Sequence, residues 1–176
     1  MVIEQQSVPG ADIAFRILES PIGSLLVAAS DHGLVRIAFE REGHDSVILG
    51  LRITAPGVST ATADVLDSAE RQLSEYFAGT RTAFDLVLDE RLSKGFRAEV
   101  LRHLSGIPYG ETESYRDVAL AVGRPNASRA AGTACATNPW PIVVPCHRVV
   151  RSDGTIGSYL AGPAAKRLLL DLERAA

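Results

Sequence analysis

Three short β-favouring runs open the chain, at residues 11–18, 25–29 and 34–39, separated by Ser20-Pro21-Ile22-Gly23 and Ser30-Asp31-His32-Gly33, both rich in turn-forming residues. The pattern predicts a meander of antiparallel strands. Between Ala63 and Phe77 the period changes: Val65, Leu66, Ala69, Leu73, Tyr76 and Phe77 recur at helical spacing, with Gly79 placed to end the helix. A helix covering the sheet is predicted there, and residues 84–88 alternate weakly enough to read as one more strand.

After Leu88 the character changes. Ser93 is the predicted N-cap of a helix carrying Phe96, Val100, Leu101 and Leu104, stopped by Gly106 and Pro108. Residues 114–122 and 127–136 read as two further helices across the turn Gly123-Arg124-Pro125-Asn126, which is the helix-turn-helix pattern. Residues 162–175 read as an amphipathic C-terminal helix with Ala165, Leu168, Leu169 and Leu172 as its apolar positions. The expected fold is α+β. An N-terminal antiparallel sheet with a helix (residues 1–90) precedes a mostly helical domain (residues 91–176) containing a winged-helix-like helix-turn-helix.

Composition adds exclusions. The chain has 176 residues, 46% of them apolar, which suits a packed globular core. No apolar run approaches the roughly 18–20 residues of a membrane helix, and the N-terminus has neither a basic start nor an apolar stretch, so a cytoplasmic protein with no membrane association is expected. The net charge of −3 conceals a split: residues 1–90 carry 6 Lys+Arg against 14 Asp+Glu, and residues 91–176 carry 12 against 7. Between Ser114 and Arg151 the arginines 116, 124, 129, 148 and 151 face Asp117 alone, so the basic charge gathers on the helix-turn-helix and points to a nucleic-acid partner.

The cysteines are Cys135 and Cys146 only, too few for a disulfide framework or a Cys-only zinc cage, and His32, His44 and His103 form no zinc spacing. Neither metal nor cofactor is expected. Cys146 stands next to His147 and Arg148 in an otherwise apolar stretch. A thiol is only a few per cent ionised at neutral pH unless a base or cation helps it, and the neighbours offer both. A buried structural cysteine fits the dipeptide equally well.

The wider pattern resembles the O6-alkylguanine-DNA alkyltransferases, the methylated-DNA-protein-cysteine methyltransferase family, whose signature P-C-H-R-V stands intact at Pro145-Cys146-His147-Arg148-Val149. The resemblance runs through Ile107-Pro108-Tyr109-Gly110-Glu111-Thr112, Ser114-Tyr115, Arg129-Ala130-Ala131-Gly132, Asn138-Pro139, Tyr159, Lys166 and Glu173, with Ser20-Pro21-Ile22-Gly23 matching in the first half. It implies a protein that flips O6-methylguanine, or O4-methylthymine, out of duplex DNA and moves the alkyl group irreversibly to its own cysteine. The implied partner is double-stranded DNA bearing alkylated guanine, bound by a monomer or by several copies along the duplex.

Residue by residue, the resemblance makes Cys146 the acceptor, activated by His147 through water and by Glu173 behind it. Tyr115 would donate to the guanine oxygen, and Asn138 would tie the recognition helix to the active-site turn. Cys135, Pro141, Val149, Tyr159, Leu160 and Lys166 would line the substrate pocket, Cys135 as a wall residue and not a second acceptor. Arg129 would fill the gap left by the extruded base, with Arg116, Arg124, Ala127, Ser128 and Tyr115 also meeting DNA in the minor groove. The loop from Gly157 to Pro163 departs from the family's usual Gly pair by carrying Leu160-Ala161, where Leu160 either narrows the pocket or lends only its backbone N–H to the guanine oxygen, so the range of alkyl groups is left open. The alternative reading is a non-catalytic alkyl-lesion-binding protein, against which the presence of Cys146 argues.

Overall fold

The computed structural model describes residues 13–51 and 59–175. Strands β1 (Ala14–Leu18), β2 (Leu25–Ser30) and β3 (Gly33–Phe39) form an antiparallel sheet in the order β1-β2-β3. Every residue of β2 is buried, because both faces of the central strand are covered. A short helix α1 (His44–Gly50) packs near β3, and α2 (Thr60–Phe77) lies across the sheet with Leu66, Ala69, Leu73 and Tyr76 turned inward. Positions 11 and 12 of the expected first strand lie outside the described residues.

Four expectations are corrected. Helix α2 starts a turn earlier than the apolar period, at Thr60, because the Ser59 side chain accepts from the Thr62 amide and caps it. Helix α1 was not expected, since its seven residues are too few to display a period. Residues 84–88 make a single bridge between Leu88 and Leu34 and no strand. Ser93 does not cap α3 (Gly95–Leu104); Lys94 is the N-cap, with no side-chain cap bond, and the Ser93 hydroxyl is buried without a partner.

Beyond α3 come β4 (Glu113–Ser114), α4 (Tyr115–Ala121), α5 (Ser128–Ala136), β5 (Val149–Val150) and α6 (Pro163–Arg174). Ser114 caps α4 by a reciprocal capping box with Asp117. Gly123, with φ of 73°, ends α4, and the next amide, of Arg124, returns to Ala119 O at 2.8 Å. The sharp turn into α5 needs that left-handed residue, and α4, α5 and α3 pack as a three-helix unit. Parallel β4 and β5 join the start of α4 to the segment after Cys146, a link of two residues per strand that is too short to read from hydrophobic pattern.

The two halves share one core. A single apolar cluster runs from Leu25, Ile37, Phe39 and Tyr76 to Leu101, Trp140, Val149 and Leu169. Two hydrogen bonds pin the second half onto β3: Trp140 Nε1 donates to Leu34 O at 2.7 Å, and the Ile37 amide donates to Pro139 O at 2.8 Å.

Candidate active site

Cys146 opens a single 3-10 turn, Cys146–Arg148, at the end of the apolar stretch, and its thiol is 4% exposed. Asn138, at the C-terminal end of α5, holds the loop that delivers it. Its Nδ2 donates to Val144 O at 2.8 Å and to Cys146 Sγ at 3.2 Å, while its Oδ1 accepts from the Trp140 amide at 3.0 Å. One buried amide therefore joins the end of α5, the Trp140 turn and the thiol. Within this loop Ile142 has φ of 76°, the one non-glycine residue at positive φ among those described.

Burial pushes the Cys146 thiol up to about 11, against the pull of the Asn138 hydrogen bond and the Lys166 ammonium. The resting thiol is protonated at neutral pH, so its proton must leave as part of any reaction.

His147 is fully buried and faces Glu173. Nε2 lies 2.7 Å from Glu173 Oε1, and Nδ1 is buried without a hydrogen-bonding partner. Burial lowers the imidazole below its ordinary value, outweighing Glu173, so the ring is neutral. A carboxylate on Nε2 fixes the proton there, which leaves Nδ1 as an acceptor. That is the tautomer a base for the thiol needs.

Glu173 is 3% exposed, although the apolar period of α6 put it among polar positions. The buried stripe of α6 is Ala165, Lys166, Leu169, Leu170 and Glu173, whereas Leu168 is 38% exposed. Both buried charges are satisfied. Glu173 Oε1 accepts from Tyr76 Oη at 2.6 Å, His147 Nε2 at 2.7 Å and Arg148 Nη2 at 3.0 Å; Oε2 accepts from Arg148 Nε at 2.9 Å and the Gly110 amide at 3.1 Å. Gly110, with φ of 81°, comes so close that a Cβ there would stand 3.1 Å from Glu173 O. Lys166 Nζ donates to Val149 O at 2.5 Å and to Ser158 O at 3.4 Å, tying β5 to the loop before α6.

Arg148 is reassigned. It is 6% exposed and, besides Glu173, donates to Ile107 O at 2.5 Å, so it braces the site and offers nothing to a phosphate or to the thiol. Tyr76 was read only as a core position of α2, and no signal in its helix distinguishes it from Leu73; the partner that does so lies 97 residues away.

Tyr115 begins α4 with its phenol against Gly157 and its ring under the Lys166 ammonium at 5.9 Å. Burial raises it to about 12, so it stays a proton donor. Cys135 is half-buried near both Tyr115 and Cys146, and burial pushes its thiol well above the ordinary range, beyond thiolate chemistry. Pro141 is buried, Tyr159 packs on Phe39 and edge-on to His147, and Leu160 is half-buried beside it. Arg116, Arg124, Arg129 and Arg151 are exposed on the α4–α5 side, Arg124 stacked over Phe96 at 5.8 Å, with Ala127 and Ser128 half-buried at the start of α5. Among the described residues no group of three or more His, Cys, Asp or Glu is placed to hold a metal ion, and no helix is long and apolar enough to cross a membrane.

Sheet, helix-turn-helix and a buried cysteine beside a His147–Glu173 pair together define an α+β protein with a cysteine centre and exposed arginines on its helical half. The chain belongs to the methylated-DNA-protein-cysteine methyltransferase family. Residues 95–175 match the 6-O-methylguanine DNA methyltransferase DNA binding domain, and residues 13–89 match the ribonuclease-like domain of the same proteins. The chain is 38% identical over 159 residues to the methylated-DNA-protein-cysteine methyltransferase of Methanosarcina barkeri, covering 90% of this chain and 96% of that protein. It is 40% identical over 168 residues to that of Mycobacterium tuberculosis, covering 92% and 93%. The solved structure of the Mycobacterium tuberculosis O6-methylguanine methyltransferase superposes with a TM-score of 0.78 at 38% identity, covering 93% of each chain, and the same organism's protein in complex with DNA superposes at 0.75, with 36% identity and 92% of each chain.

Proposed function

We propose that this protein repairs duplex DNA by direct reversal, taking the alkyl group of O6-methylguanine, and of O4-methylthymine, onto Cys146 Sγ in a single irreversible turnover. The observation that carries the reading is the buried His147–Glu173 pair beside a buried Cys146, with Asn138 holding the sulfur and the imidazole proton directed to Nε2. A soft sulfur suits displacement at a methyl carbon, and the purine leaves only if its oxygen is neutralised. The Sγ–C bond forms as the C–O6 bond breaks; the thiol proton passes toward His147 Nδ1, and Tyr115 donates a proton to the leaving oxygen, so the base departs as neutral guanine.

A 4%-exposed thiol is unreachable for a stacked base, so the nucleotide is extruded, at a cost of about a few kcal/mol, with Arg129 entering the gap. The pocket is bounded by Cys135, Pro141, Val149, Tyr159, Leu160 and Lys166. Val149 O, which already accepts from Lys166, keeps its second lone pair for the guanine amino group. The protein acts as a cytoplasmic monomer, singly or as several copies along the duplex. The halves at 1–90 and 91–176 divide the work, the second meeting DNA.

Incubation with a duplex carrying labelled O6-methylguanine, followed by intact mass and peptide mapping, tests the reading. Wild type is expected to gain one methyl per chain at Cys146, and Cys146→Ala none. Label accepted by Cys146→Ala would sink the proposal, and lesion binding by wild type with no mass gain would establish the non-catalytic alternative. Binding should also weaken with salt, log K against log[salt] having a slope of about −0.9 per phosphate neutralised. Arg116→Ala should reduce that slope by about one, measured by fluorescence anisotropy titration; an unchanged slope removes Arg116 from the phosphate contacts.

A further inference from the structure

The N-terminal half reaches the buried Glu173 carboxylate through the phenol of Tyr76. Its side chain is fully buried, and its oxygen lies 2.6 Å from Glu173 Oε1 and 3.4 Å from His147 Nε2. The ring cannot swing away, being flanked by Phe84 at 5.4 Å, Phe77 at 5.5 Å and Tyr109 at 6.1 Å between centroids. Packing against those rings needs a phenyl group; it gives no reason for a hydroxyl. The hydroxyl is aimed at the one carboxylate oxygen that also holds the imidazole.

We propose that Tyr76 is a positioning residue of the alkyl-transfer site: its phenol holds Glu173 in the orientation that keeps the imidazole proton on Nε2 and limits how strongly the carboxylate pulls on the ring. This rests on the alkyl-transfer reading and assigns the N-terminal half a part in it.

The physical argument is competition for charge. Oε1 divides its negative charge among three donors, from Tyr76, His147 and Arg148, and each strong donor reduces what the others feel. With the phenol in place, Glu173 orients the ring without stabilising imidazolium so strongly that Nδ1 is protonated before the thiol arrives. Burial and Glu173 keep the phenol far above its ordinary range, so it remains a donor throughout the working pH. The other charged or titratable groups acting on the imidazole are Arg148 on its own turn and Lys166 on α6, with the Tyr159 ring edge-on to it from the loop before α6.

Tyr76→Phe keeps the ring and removes only the hydroxyl. The acid midpoint of the transfer rate against pH is expected to move up by about one unit, since a hydrogen bond to a charged group is worth roughly that much when the acceptor is shared among several donors. The rate well above the midpoint should stay within a few-fold of wild type. Site-specific 3-fluorotyrosine at position 76, a stronger donor of nearly the same shape, should move the midpoint down. A residue that merely packs moves neither, and coincident midpoints in all three proteins overturn the proposal. The same midpoints read by ¹⁵N NMR of the His147 ring do not depend on transfer. If Cys146 takes no methyl in any of them, the alkyl-transfer reading falls, while the ring titration still decides the role of Tyr76.

Discussion

Glu173→Ala is expected to lower folding stability by about 3–5 kcal/mol, the usual result of removing one member of a buried, hydrogen-bonded ion pair. The change strands the 6%-exposed Arg148 guanidinium, the Tyr76 hydroxyl and the Gly110 amide at once. Glu173→Gln is the sharper test of chemistry, because the amide fills the same space but presents one donor face and no charge. Transfer should fall by about 100-fold or more, within the range that general acid–base groups supply. Urea midpoints give the stability and single-turnover kinetics the rate; retention of wild-type rate by Glu173→Gln would exclude the relay.

The pH dependence follows from the same cluster. Burial raises the Glu173 carboxyl, but the hydrogen bonds from His147 and Arg148 outweigh it and leave the group well below the usual carboxylate range. Burial holds the His147 imidazole low as well. Both groups bind fewer protons folded than unfolded, so their contribution is fully present above about pH 6.5 and is lost as pH falls, first through the ordinary imidazole range and then below about 4.3. In Glu173→Gln the part below about pH 4.3 disappears. Stability that rises on acidification would contradict the assignment of both groups.

Trp140→Ala is the second large effect. The indole is 2% exposed, belongs to the shared core, and donates to β3 through Nε1, so its loss should cost about 3–5 kcal/mol. For a chain of this size that corresponds to roughly 10 °C in Tm. Trp140→Phe keeps most of the packing and should cost about 1 kcal/mol for the lost hydrogen bond. Leu34 O is not orphaned in either variant, because the Asp89 amide also donates to it at 2.9 Å. Transfer should slow in Trp140→Ala through Asn138, whose Oδ1 accepts from the Trp140 amide and whose Nδ2 holds the sulfur. Calorimetry reads the first effect and single-turnover kinetics the second. A Tm within about 3 °C of wild type would mean that the pin to β3 bears little of the fold's stability.

These residues also show how far the sequence could be read. Strand alternation, the α2 stripe and the helix-turn-helix turn at Gly123 are local patterns, and they matched the structure to within a turn. Cys146, His147 and Asn138 lie within a ten-residue window with a specific signature, so their proximity was legible. Glu173 was legible only through the family spacing; on hydrophobic period alone it belongs to the wet side of α6, because a charge buried on long-range hydrogen bonds violates the rule that makes periods readable. Arg148 misled for the same reason, a basic residue in a basic region whose partners lie 25 and 41 residues away. Tyr76 carried no local mark, and Ser93 looked like a cap because the sequence shows hydroxyls but not their direction.

The single apolar cluster spanning sheet and helices sets the unit in which this protein can be engineered. Grafting the acceptor half onto another scaffold, or recombining halves from two relatives, separates Trp140 from Leu34 and Glu173 from Tyr76 and leaves Leu101 and Leu169 against a foreign surface. Any chimera has to carry both of those hydrogen-bonded contacts across its junction intact.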